Sequence, residues 1–159
     1  MAKCIALVVR LENQAISQYG NYDFNSFCKI NDTYFGANSD GIFTLGGDDD
    51  NGTDIDAIFA LILSDWGISN VKRIRKLFIG YETDGSLTVK VKNEEDNERS
   101  YTLPYRLYDR QNGNTVNVGR DGIGRYWNVR VENVDGCNFA IDMIEVLPVI
   151  LNTRRSMLP

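Results

Sequence analysis

An all-β fold, an antiparallel β-sandwich or barrel-like sheet with long loops and at most one short helix, is what this chain of 159 residues predicts. Three stretches carry the prediction. Leu87, Val89 and Val91 alternate with Thr88, Lys90 and Lys92. Trp127, Val129 and Val131 alternate with Asn128, Arg130 and Glu132, and Phe139, Ile141 and Met143 alternate with Ala140 and Asp142. A side-chain period of two sets one face on a core and the other toward water or a partner. Strands account for nearly all the patterning, and one domain over residues 1–151 with a polar tail at 152–159 is expected.

Taken in order, Cys4–Leu11 is a β-branched, aliphatic run and reads as a first strand. Gln18–Phe27 crowds Tyr19, Tyr22, Phe24 and Phe27 together, which suits either a core edge or a contact surface. Thr33–Gly36 and Ile42–Leu45 flank Asp40-Gly41, a hairpin signal, because Asp-Gly supplies the positive φ of a tight turn. Thr83-Asp84-Gly85 repeats the device between Leu77–Tyr81 and Leu87–Val91.

Gly46–Asp54 reads as a loop. In Asp54–Leu63 a helical spacing (Ile55, Ile58, Phe59, Ile62) competes with alternation, and the short apolar run reads as a fully buried strand among strands. Asp65-Trp66-Gly67 turns the chain toward Val71–Ile79, and Asn93–Ser100 is a charged hairpin tip or loop. Tyr101–Tyr108 reads as a strand that Pro104 confines to an edge or a bulge. Asn112–Gly124, with four glycines, reads as a long loop, followed by a strand, a turn at Asp135-Gly136 and a last strand.

Composition narrows the function classes. The chain has no histidine, which removes the commonest general base near neutral pH and the commonest metal ligand. Its net charge of −5 argues against sequence-specific nucleic-acid binding, although Lys72, Arg73, Arg75 and Lys76 form a local basic patch that reads as a solvated strand entrance. Cys4, Cys28 and Cys137 show no CxxC spacing and read as free, mostly buried thiols. Met1–Val9 does not read as a signal peptide, and Ala57–Leu63 is too short to span a bilayer, so no membrane partner is expected.

No constellation of catalytic residues stands out. The aspartates of 48–56 invite a calcium reading, but the EF-hand spacing fails and no glutamate closes the loop, so a solvated acidic turn is expected. Gly119–Gly124 superficially matches a phosphate-binding glycine loop, yet a strand rather than a helix is predicted to follow it. Tyr126-Trp127 with Arg125 and Arg130 fits either an aromatic, cationic binding face or ordinary sheet packing. No cofactor and no enzymatic activity are expected.

Short matches along most of the chain carry a resemblance. They include Tyr22-Asp23-Phe24-Asn25-Ser26-Phe27, Gly41-Ile42-Phe43-Thr44-Leu45, Lys72-Arg73-Ile74 through Gly85, Arg125-Tyr126-Trp127, Phe139-Ala140-Ile141-Asp142 and Ile144-Glu145-Val146-Leu147-Pro148-Val149, and extend to Arg154-Arg155. In these the chain resembles a group of tailed-bacteriophage virion proteins, and Tyr34–Leu45 is similar to hairpins in the tail nozzles of short-tailed phages. It departs from the group at Asn31-Asp32, where glycine would be expected, and in the extended loop before Arg125.

The resemblance implies a β-rich tail or head-to-tail connector component, made in the host cytoplasm and built into the virion in several copies as a ring or tube. Its partners would be other copies of itself and other tail or neck proteins. The contact elements expected are Tyr19, Tyr22 and Phe24, the 112–124 loop with Asn114, Val116 and Arg120, and Arg125 with Trp127. The reading from another class is a carbohydrate-binding β-sandwich module, which needs Trp66 or Trp127 exposed on a flat face. A glycan-cleaving enzyme would need two carboxylates facing each other across a groove.

Overall fold

The computed structural model describes residues 5–105, 112–120 and 122–151, so the polar tail and Arg154-Arg155 lie outside the described residues. Where one domain was expected over 1–151, the chain gathers into two compact units, Met1–Gly47 and Asp48–Pro159. The architecture is all-β and antiparallel throughout, with no helix among the described residues and no sheet closed into a barrel.

The N-terminal unit contains two small sheets. Strands β1 (Ile5–Val9) and β2 (Ile16–Gly20) pair as a hairpin, and β3 (Ser26–Ile30), β4 (Thr33–Ala37) and β5 (Ile42–Leu45) form a meander. The Asp40-Gly41 hairpin is present as expected. Its four-residue turn is organised by Asn38, whose Oδ1 accepts hydrogen bonds from the backbone N–H groups of Asp40 and Gly41 at 2.8 and 3.2 Å. The crowded aromatics do pack: Tyr22 meets Phe24 edge-on at 5.0 Å and stacks on Phe27 at 5.9 Å, while Phe24 reaches Phe43 at 5.7 Å. Gly36 lies under Phe24, where a Cβ would stand 2.7 Å from the ring. Among the described residues of this unit Gly36 alone is buried.

The C-terminal unit is a four-on-three sandwich. One sheet runs β11 (Glu98–Leu103), β10 (Leu87–Asn93), β13 (Trp127–Asn133), β8 (Ile58–Ala60); the other runs β12 (Asn112–Asn117), β9 (Lys72–Thr83), β14 (Phe139–Ile150). Alternation decides the layers. Leu87, Val89, Val91, Trp127, Val129 and Val131 point inward from the first sheet against Ile74, Leu77, Ile79, Tyr81 and Val116 from the second. Tyr81 solves the problem of its own buried hydroxyl by donating to the Pro104 carbonyl at 3.1 Å. On the outer face Lys90 sits opposite Arg130, a like-charged pair that would cost stability. Glu132 offsets it, 2.7 Å from Lys90 and 2.5 Å from Arg130.

Several expectations are corrected. Thr83-Asp84-Gly85 is not a hairpin: β9 and β10 belong to different sheets, and the segment crosses between layers. A turn dipeptide bends the chain without choosing the sheet its next strand joins. Residues 112–117 are not loop but edge strand β12, paired with β9 over its whole length. The run 54–63 is neither helix nor buried strand. Its regular part is the three-residue β8 on an open edge, with Ile58 and Phe59 exposed. The stretch read as loop at Gly46–Asp54 holds a miniature hairpin, β6 (Asp49–Asp50) with β7 (Thr53–Asp54). Its turn is Asn51-Gly52, both at positive φ (53° and 79°), the conformation that two-residue hairpins require. Cys28 is exposed, not buried, and Cys137 is half-buried; both are free.

Candidate functional site

Strand directions gather the candidate loop residues at one end of the sandwich. Strand β9 starts there, β12 ends there, β13 starts there, and the β10–β11 hairpin tip is there as well. Lys72 opens β9 in phase with Ile74, so its side chain enters the sandwich and is fully buried, correcting the solvated reading. Its ammonium donates to the Ile68 carbonyl at 2.8 Å and to the Arg125 carbonyl. Burial pushes the Lys72 pKa below the ordinary lysine value, against the opposing pull of Asp65 and Glu94.

Glu94 holds the same loop from the hairpin tip. Its carboxylate accepts from the Arg125 N–H at 2.7 Å and the Tyr126 N–H at 2.9 Å. Partial burial pushes its pKa up, but these N–H groups, its own N–H and the Lys72 charge together outweigh that and bring it below the ordinary value of 4.5. Asn93 Nδ2 donates to the Ile123 carbonyl at 2.9 Å, and Lys72 and Gly124 exchange both backbone hydrogen bonds. Residues 123–126 are therefore pinned through six of their backbone groups, while Ile123, Arg125 and Tyr126 face solvent.

A pH dependence follows. Because folding lowers the Glu94 pKa, its contribution is present above pH 4.5 and is lost as pH falls through the folded value. Glu94→Gln should cost about 1 kcal/mol near neutrality, a figure reduced for solvent exposure, and should flatten the acid limb of stability. Urea unfolding from about pH 7 to about pH 3 measures both. An acid limb identical to wild type would remove the role given to Glu94.

The predicted contact residues divide. Arg120 and Arg125 are exposed at the loop end, and Asn114 is half-buried on β12. Val116 and Trp127 are core residues, 6% and 2% exposed, and cannot be contact elements on this surface. Trp127 is in phase with Val129 and Val131, and its indole N–H donates to the Gly124 carbonyl at 3.2 Å. Trp66 is half-buried and packs on the core, so neither tryptophan offers the open flat face that the sugar-binding reading needs. Tyr19, Tyr22 and Phe24 come together in the N-terminal unit, with Tyr19 exposed.

Lys72, Glu94 and Asn93 were missed as the elements that pin the loop. The only available signal was the phase of Lys72 with Ile74. Among the described residues no group of three or more histidine, cysteine, aspartate or glutamate side chains is placed to hold a metal ion, and no helix is long and apolar enough to cross a membrane. No protein-family model, curated protein or solved structure matches the chain.

Proposed function

We propose that this chain is a structural subunit that assembles in several copies, a tail or head-to-tail connector part of a phage virion, and that it carries out no catalysis. The virion setting rests on the sequence resemblance alone. Assembly rests on one observation in the fold: the apolar strands of the N-terminal unit are uncovered. Ile5, Leu7, Val8, Val9 and Ile16 are all exposed on the β1–β2 hairpin, on both of its faces. A two-stranded hairpin is marginal in water, and contiguous apolar surface of this kind marks a contact face. The outer edge of β14, twelve residues long and exposing Met143, Leu147 and Ile150, adds a second surface suited to strand addition.

Sedimentation and native mass measurement of the full chain test the reading. A discrete oligomer is expected, with the chain also found in purified particles. An 18.0 kDa monomer at every concentration, or turnover of any substrate, would overturn it.

A further inference from the structure

We infer that two copies of this chain pack face to face through the outer surface of the β12–β9–β14 sheet, with their strands antiparallel. The inference rests on the self-assembly reading above and gives it a surface and a symmetry. Strand phase fixes what that surface carries. In β14, Ile141, Ile144 and Val146 are in register with Tyr81, Ile79 and Leu77 of β9 and pack on the core. Met143, Leu147 and Val149 therefore face outward beside Phe78, with Met143 50% and Leu147 44% exposed. A strand apolar on both sides has the pattern of one covered on both sides, whereas a sheet face that meets only water alternates to polar residues. Gly113, in register with Gly80, leaves a dip beside them: a Cβ there would meet nothing within 4 Å.

Charge on this face is sorted along the strands. Arg73, Arg75 and Lys76 lie at the start of β9, where Arg75 is the extra residue of a bulge and shares the outer face with Lys76. Glu82 lies at the far end of β9, and Asp142, the extra residue of a second bulge, lies close by over Gly80. Glu145 stands between the two groups, opposite Phe78 and diagonal to Lys76. These six are every charged side chain that β9, β12 and β14 turn outward. Arg73 and Glu82 are nine positions apart on one strand, roughly 25–30 Å, too far to neutralise each other across a single face.

This layout selects the occupant. A polyanion or an anionic bilayer would meet Glu145, Asp142 and Glu82 along with the bases. A second copy turned end for end sets Arg73 against Glu82, brings Arg75 and Lys76 toward Asp142, and lays apolar centre on apolar centre. A copy laid parallel would set base on base and acid on acid, so charge chooses the antiparallel arrangement. The contact is isologous, with its twofold axis near Phe78. The two Glu145 side chains fall nearest that axis, each diagonal to the Lys76 of its own chain.

Charge reversal tests the pairing. Arg73→Glu alone and Glu82→Arg alone each set like charges together twice across the axis, and each should weaken assembly about tenfold or more in concentration. The chain carrying both reversals, and an equimolar mixture of the two single variants, should each assemble as wild type does. Met143→Gln, at an exposed position and without a change of charge, should weaken assembly several-fold. Near-ultraviolet circular dichroism checks that each variant is folded, and sedimentation over a range of concentrations reads assembly. Wild type supplies a readout that needs no variant: an isologous contact pairs the copies, so the native mass should correspond to an even number of chains. An odd number, single variants that assemble as well as wild type, or reversals that fail to rescue each other would overturn the antiparallel face while leaving self-assembly through another surface standing. A wild-type monomer at every concentration would overturn both.

Discussion

Trp127→Ala is expected to cost the C-terminal unit about 3–5 kcal/mol, the range for deleting a large buried aromatic side chain. Small domains hold only about 5–15 kcal/mol in total, so the variant should lose a large fraction of its stability and unfold at a markedly lower urea concentration. The indole touches both ends of the argument for the fold. It fills the core beside Val91 and Val129, and its N–H satisfies the Gly124 carbonyl at 3.2 Å. Its backbone exchanges hydrogen bonds with Ser64 at 2.9 and 3.1 Å, which ties the chain after β8 to the start of β13. Gly122 packs so closely on the ring that an added Cβ would stand 2.9 Å from it. Trp127→Phe keeps most of the volume and loses the polar contact, so it should cost about 1–2 kcal/mol. Urea midpoints with near-ultraviolet circular dichroism separate the two variants. A loss below about 1 kcal/mol for the alanine variant would mean that the site is not core.

What could be read beforehand follows from which features are local. Strands β10 and β13 were legible because each buries one face, so their apolar residues alternate cleanly. The phase also contained the fate of Trp127, two residues before Val129. An even division between interface and core came from weighing tryptophan chemistry instead of that phase. Strand β12 was not legible, since Asn112, Gly113, Asn114 and Asn117 carry little strand preference. It forms because β9 offers an edge with unpaired backbone groups and Val116 fits the core. Connectivity was hidden for a different reason. The bend at Asp84-Gly85 is real, but what sends β10 to the other layer is a long-range arrangement. Thr83 Oγ1 lies 3.0 Å from the Asn138 carbonyl, and Asp84 Oδ1 accepts from the Asn138 N–H at 2.8 Å.

The candidate loop shows the same division. Arg120 and Arg125 were visible as exposed basic residues in a glycine-rich segment, and they are exposed. The segment 123–126 is nevertheless pinned, and nothing in its own composition says so. The pinning groups come from Lys72, Asn93 and Glu94, which lie 53, 30 and 31 positions earlier in the chain for the bonds concerned. Loop mobility is therefore a property of what surrounds the glycines and cannot be inferred from the glycines.

Lys72→Met should be the second large loss, about 2 kcal/mol, and its sign is decided by two opposed effects. Removing a buried ammonium recovers its desolvation cost, which in an apolar setting can make such a change neutral or stabilising. Here the ammonium donates to the carbonyls of Ile68 and Arg125, and methionine fills the volume without replacing either bond. Hydrogen bonds from a charged donor contribute about 1.5–3 kcal/mol each, so losing two outweighs the recovered desolvation. The pH dependence supplies a check that packing alone would not give. Folding lowers the Lys72 pKa, so between that lowered value and 10.5 the unfolded chain binds more protons and wild-type stability gains with rising pH. The variant lacks this gain, and the stability gap between the two proteins should widen as pH rises toward 10.5. Amide exchange at Gly124, whose N–H bonds to the Lys72 carbonyl at 3.0 Å, should accelerate in the variant as the loop loosens. Unchanged exchange would show that the ammonium does not hold the loop, and a gap that stays constant with pH would show that its burial carries no desolvation cost.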